Sequence, residues 1–407
     1  MHEVTNPRAP GAQDADCPAE REIVQAGERR SARVESLRAL AAVSVLVGHV
    51  WLYVHLFGPS SYSPFLHDLV AGGGLGVQLF FALSGYLIFR PFARRDFGSG
   101  TRIDLRSYAL NRALRILPLY WVAIIVLLVV TEHGGSLTQW WRFGLFAQNF
   151  WTSTAQTVDG PMWSVVVEIH FYVLLPFIAW ALGRLTRGNR THAIALILVA
   201  GLVSVAFRRL NPNPALVWDY SLPATFYGFV PGMVLAILQT SWEQGCPRLV
   251  RGPAASADAW LASGVAVWLL VCWRADLAVP LTALGAFLVV GAVVLAPGQS
   301  RLVRVLDAKP LALMGVASYS LYIWHVPIVA HLWQIHALGR SFPLLLATSL
   351  PLCVGAAAAS YFLIERPTLR LRRVWAKPGR PVAASSEAAH LVPETSPASP
   401  TPRTLGS

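Results

Sequence analysis

The chain has 407 residues, 55% of them hydrophobic and 13% charged, with a formal net charge of +12 and a mean hydropathy of +0.50. A soluble domain of this size cannot hide so much apolar surface, so the composition excludes that class and points to a polytopic membrane protein. The positive charge does not indicate nucleic acid, because the basic residues, all arginine except Lys309 and Lys377, gather in short loops between apolar runs.

Residues 1–33 read as a disordered cytoplasmic tail, charged and proline-bearing and without the apolar core of a signal peptide, so the first span would also serve as the targeting signal. Ten apolar runs follow, at about 36–57, 71–89, 116–130, 162–183, 192–207, 221–240, 259–273, 279–296, 311–333 and 343–365. The third is expected to enter through Pro118, tolerated in a first helical turn. Segments placed inside hold 27 Lys and Arg, those placed outside hold five, and Arg38 completes the 33. The bias predicts an all-α integral membrane protein of about ten transmembrane helices with both termini cytoplasmic. Residues 374–407, rich in Pro, Ser, Thr and Ala, read as a second disordered cytoplasmic tail. Cys17, Cys246, Cys272 and Cys353 have neither disulfide-framework nor zinc spacing, so no metal is expected.

Several polar residues sit where lipid-facing helices would not carry them. Arg38 and His49 lie eleven positions apart in VESLRALAAVSVLVGHV. On a helix that is about three turns plus 20°, so they share a stripe with a rise of about 16 Å between them. Ionisable residues in a span are functional candidates, although an arginine also snorkels to headgroups and a histidine also bonds backbone between helices. In MWSVVVEIHFY, Ser164, Glu168 and Tyr172 follow i, i+4, i+8, while His170 faces elsewhere. In SYSLYIWHVP, Ser318, Tyr322 and His325 share a stripe, and interhelical hydrogen bonding is the plainer role for Ser318 and Tyr322. Arg112 and Arg115 share a helix face just before the third span. Their forks suit phosphate, and equally they could fix topology or meet anionic lipid. Glu365, in the terminal YFLIERP, could pair with a neighbouring arginine. The tryptophans Trp140, Trp141 and Trp151 fit an interfacial belt better than a sugar-stacking platform.

The ordered set RVESLRALAAVSVLVGH, GGGLGVQLFFALSGYLI, RALRILPLYW, MWSVVVEIHFY, SYSLYIWHVP and IERP resembles the acyltransferase family 3 membrane proteins, which are O-acyltransferases of sugars and glycosylated natural products. The likeness covers about residues 33–373, which makes 34–373 the acyltransferase transmembrane domain. The family's Arg and His of the first span match Arg38 and His49, its RxxR matches Arg112 and Arg115, and the Glu of its WSxxxE matches Glu168. Where the family commonly continues with a second acid and a glutamine, this chain has Ile169 and His170.

The resemblance implies transfer of an acyl group, acetyl or another short chain, from acyl-coenzyme A as co-substrate, with no bound cofactor. His49 would be the general base. Arg38 would position the donor or stabilise developing negative charge, and Arg112 and Arg115 would hold the donor's phosphates. Glu168 would orient His49 or bind the sugar, with Ser164, Tyr172, Tyr322 and His325 as acceptor contacts or support. The acceptor would be a sugar, a surface glycan or a glycosylated small molecule such as a macrolide, and the location a bacterial plasma membrane with lipid as partner. The rival reading is a proton-coupled multi-span transporter, against which stands the lack of an inverted repeat.

Overall fold

A computed structural model describes residues 18–57, 75–98, 100, 102–210, 217–243, 256–273, 278–295, 300–335 and 341–375. Residues 1–17 and 376–407 of the two expected tails, residues 71–74 of the expected second span, Cys17 and Cys246 lie outside the described residues. Every regular element described is helical. The first helix, α1, runs Pro18–Phe57, so backbone expected as tail from residue 18 onward is already helical. It is followed by α2 (Leu75–Phe97), α3 (Leu105–Val130), the short α4 (Leu137–Gly144), α5 (Met162–Thr186) and α6 (Arg190–Leu210). Then come α7 (Leu222–Thr225), α8 (Val230–Glu243), α9 (Ala257–Trp273), α10 (Ala278–Val294), α11 (Lys309–Val316), α12 (Ser318–Gln334), α13 (Phe342–Ser360) and α14 (Arg366–Trp375), with a π-helical turn, Tyr361–Glu365, joining the last two.

Six helices are long and apolar enough to cross a membrane, and up to eight spans result if each of two bent pairs counts as one. This is a multi-pass membrane protein. The expected count of ten is not reached, for two reasons. First, α9 and α10 have 17 residues each, and a helix of that length rises about 25 Å, short of a hydrocarbon core of roughly 30 Å. Second, the runs expected at 221–240 and 311–333 are broken: α7 with its 3-10 turn meets α8 at 46°, and α11 meets α12 at 73°. A hydropathy window averages over such bends. The third span also differs from expectation, because α3 starts at Leu105, capped by the Asp104 side chain on the Arg106 N–H at 3.0 Å. Pro118 therefore lies inside that helix and not in its first turn.

The helices are arranged so that α1 contacts α2, α11, α12 and α13, while α2 packs closely on α8. Backbones approach where a side chain is missing. A Cβ on Gly232 of α8 would strike the Ala82 carbonyl of α2, and one on Gly315 of α11 would strike the Glu35 carbonyl of α1. The C-terminal ends of α2 and α8 are tied by Arg94 to Glu243 at 2.7 Å, and α1 is tied to the turn before α11 by Arg33 to Asp307 at 2.7 and 2.9 Å. These ties lie at the end of the bundle that carries Arg38, Arg90, Arg94, Arg112 and Arg115, the arginine end. Large apolar side chains such as Val173, Phe177 and Leu202 face outward, as lipid contact requires.

Candidate functional site

The stripe of α1 faces α12 and the π-helical turn, and it brings the two expected histidines together. His325 is buried and His49 half-buried, with ring centroids 4.9 Å apart and planes at 72°. Their hydrogen bonds determine where the protons sit. Nδ1 of His325 is 2.6 Å from the Tyr322 carbonyl, which can only accept, so that nitrogen carries the proton and Nε2 carries the lone pair. Nδ1 of His49 is 2.8 Å from the Val45 carbonyl and 3.3 Å from Nε2 of His325. Both of those are acceptors, so Nδ1 of His49 is the protonated nitrogen and its Nε2 bears a lone pair. That Nε2 makes no hydrogen bond among the described residues.

Toward the arginine end, two buried carboxylates surround Arg38. Glu35, 2% exposed, places Oε1 3.5 Å from the Arg38 Nη1. Glu365, 3% exposed, accepts from Ser320 Oγ and lies within electrostatic reach of Arg38 and Arg115. Its hydrogen-bond partner is thus a serine, with the two arginines acting on it through space. The π-helical turn that ends at Glu365 widens the backbone where this carboxylate turns inward.

A second carboxylate cluster sits on α5. Glu168 accepts from Ser84 of α2 and from Tyr172 one turn away, and Arg112 lies within electrostatic reach of Tyr172. The two arginines of the RxxR motif thus serve different neighbours, Arg112 the Glu168–Tyr172 pair and Arg115 Glu365. Ser164 does not join the Glu168 cluster. It bonds the Tyr322 hydroxyl at 2.6 Å and links α5 to α12 beside the histidines. Among the described residues no hydrogen bond joins Glu168 to His49; the side chain that touches His49 is His325. His325 is on α12, which packs against this part of α1. His170 points away from the cluster, with Nε2 3.1 Å from the Phe146 carbonyl.

Comparison with known proteins identifies the family. The family model for the acyltransferase domain matches residues 31–365. The chain belongs to the acyltransferase 3 family. YrhL of Bacillus subtilis strain 168 is 24% identical over 361 residues, 82% of this chain and 54% of YrhL. The O-acetyltransferase OatA of Staphylococcus aureus strain NCTC 8325 is 23% identical over 365 residues, 82% of this chain and 56% of OatA. The peptidoglycan O-acetyltransferase OatA of Listeria monocytogenes EGD-e is 22% identical over 329 residues, 73% and 49%. The chain thus spans about half the length of these curated relatives. No solved structure matches it.

Within the acyltransferase 3 domain, reasoning from sequence missed Ser84, Ser320 and Glu35. Ser84 and Ser320 lie in motif segments but look like ordinary small packing residues, and only their opposite helices reveal the carboxylates they serve. Glu35 had a usable signal, an acid three residues before Arg38 on the same helix. Ser318 is buried with no hydrogen-bond partner for its Oγ among the described residues. The tryptophans group as a surface cluster in which the Arg142 guanidinium stands 4.1 Å over Trp151 and 5.4 Å from Trp141. One face of Trp151 is thereby taken by the chain's own arginine.

Proposed function

We propose that the chain is an integral-membrane O-acyltransferase that moves an acetyl or other short acyl group from acyl-coenzyme A to a sugar hydroxyl, on a surface glycan or a glycosylated small molecule such as a macrolide. The observation that carries this reading is the His49–His325 pair, which leaves Nε2 of His49 as an unprotonated imidazole nitrogen in an acyltransferase domain. Two relatives whose names carry O-acetyltransferase support the acetyl group, and the peptidoglycan in one of those names supports a sugar acceptor.

In the proposed reaction, His49 Nε2 takes the proton of the acceptor hydroxyl as its oxygen attacks the thioester carbonyl carbon. His325 Nε2 accepts from His49 Nδ1–H and stabilises the imidazolium while it lasts. The tetrahedral adduct then collapses, the carbon–sulfur bond breaks, and the leaving thiolate takes the proton from His49. Arg38, a rise of about 16 Å from His49 toward the arginine end, positions the donor. Arg112 and Arg115 hold the donor's phosphates. The arginine end is placed on the cytoplasmic side together with both termini, the orientation that the 27-to-five distribution of basic residues favours. Residues 34–373 form the catalytic unit between two tails.

The test is mass spectrometry of glycans and secreted metabolites from a deletion strain complemented with wild type or with His49→Ala. Loss of a general base lowers rate by about 10²- to 10⁴-fold, so only wild type is expected to restore an acylated product. Restoration by His49→Ala, with the variant present in the membrane at wild-type level, would remove His49 as the base. Coenzyme A release by the purified protein separates an acyltransferase from a carrier.

A further inference from the structure

The loop that precedes α5 holds a carboxyl group that the fold leaves unmet. Asp159 is 2% exposed, and neither of its oxygens has a hydrogen-bond partner among the described residues. Two other inward-facing carboxylates have hydroxyl donors, Glu168 from Ser84 and Tyr172 and Glu365 from Ser320, and among the described residues Asp159 has both oxygens open where Glu35 and Asp219 each have one. A buried carboxyl without partners is strongly unfavourable by itself, so its retention calls for a cause. Burial pushes the Asp159 carboxyl well above the usual carboxylate range.

The backbone holds it there under strain. Val158 has φ +64°, an outlier for a β-branched residue, and such outliers gather at ligand-binding positions. The next residue is pinned on both sides, with the Asp159 N–H donating to the Thr157 carbonyl at 2.7 Å and the Asp159 carbonyl accepting from the Met162 N–H at 3.1 Å.

Its surroundings indicate what would meet it. The carboxyl lies within electrostatic reach of Tyr53, Tyr120 and Tyr322. Tyr53 stands four residues past His49 on α1, about 6 Å farther from the arginine end, and the Tyr322 ring centroid is 5.5 Å from that of His325. Two of the tyrosine protons are used elsewhere: Tyr322 donates to the Pro161 carbonyl at 3.0 Å and Tyr120 to the Phe143 carbonyl at 2.9 Å. Two more buried acceptors at this end, Asn149 Oδ1 and Gln78 Oε1, also lack a partner among the described residues. Open acceptors at the end of the bundle away from the arginines, linked to the histidine pair through Tyr322, fit a ligand that brings several O–H donors, which is the chemistry of a sugar.

We infer that Asp159 binds hydroxyl groups of the acceptor and presents the reacting one to Nε2 of His49 from the side opposite the arginines. The inference rests on the acyl-transfer reading and adds its acceptor subsite.

The experiment complements the deletion strain with wild type, Asp159→Asn or Asp159→Leu. It measures acylated glycans and metabolites by mass spectrometry, and purified proteins are assayed for acetyl-coenzyme A binding and thermal melting. The expected result is at least a tenfold loss of acylated product in both variants, larger for Asp159→Leu, which keeps no acceptor oxygen. Acetyl-coenzyme A binding stays within twofold of wild type, and the melting temperature is equal or higher because the unmet carboxyl is gone. Product at the wild-type level overturns the inference, as does a loss accompanied by an equal fall in donor binding or in melting temperature. If wild type itself restores no acylated product, the acyl-transfer reading fails and this subsite fails with it. A normal wild-type product with unaffected variants removes the role of Asp159 alone.

Discussion

The two ends of the bundle treat buried acids in opposite ways. At the arginine end the buried Glu35 has Arg38 at 3.5 Å from one of its oxygens and the buried Glu365 has Ser320 and the fields of Arg38 and Arg115, while the more exposed Glu243 and Asp307 are each bonded to an arginine. At the other end Asp159 is as deeply buried and has no hydrogen-bond partner among the described residues. Charges that balance within the chain hold helices together whether or not a ligand is bound, whereas an unmet acid gains its partner only when one arrives. Between the ends stands the histidine pair, reached in the proposed reaction by the donor from one side and by the acceptor from the other.

Three substitutions probe that contrast, and the largest effect is expected at the balanced end. Glu365→Ala removes a buried carboxylate from the fields of Arg38 and Arg115 and leaves Glu35 beside Arg38, and loss of one member of a buried charged network costs about 3–5 kcal/mol. The expected outcome is a clear fall in melting temperature, read on detergent-purified protein; an unchanged melt would mean that the network does not stabilise this end. His325→Ala should leave the fold largely intact and remove the side-chain partner of His49 Nδ1, whose bond to the Val45 carbonyl stays. A misplaced reacting group costs on the order of 10²-fold in rate, so kcat in a coenzyme A release assay is expected to fall that far while the KM for the donor holds. Activity at the wild-type level would show that the Val45 carbonyl alone suffices to hold His49. The smallest effect is expected from Tyr322→Phe, which deletes the hydroxyl bonded to Ser164 and to the Pro161 carbonyl. Ser164 keeps its own bond to the Pro161 carbonyl at 3.1 Å, so the loss is about 1 kcal/mol of stability. A fall in coenzyme A release as large as that of His325→Ala would instead place the tyrosine hydroxyl in the chemistry.

Much of the site could be read from helical period alone. Arg38 and His49 do share the face of α1 that meets α12 and the π-helical turn, as their eleven-residue spacing predicts, and Glu168 and Tyr172 do bond along one stripe of α5. Ser164 shares that stripe by period and yet bonds across to Tyr322, because the stripe passes from one neighbouring helix to another over two turns. Asp159 escaped attention because a single acid in a polar loop looks solvated, and nothing local announces that the loop folds inward over α1 and α12.

By itself the sequence determined the environment, the helical class and the faces of the polar stripes, since these depend on apolar length and on a period of 3.6 residues, both local properties. Which stripe meets which was decided only by the tertiary structure. The contact of His49 with His325 spans 276 positions and that of Ser320 with Glu365 spans 45, and the bend of 73° that aims α12 lies at a single residue, Ala317. Such contacts follow from how closely whole helices approach, as at Gly232 and Gly315, and that is a property of pairs of surfaces which no window along one strand of sequence contains.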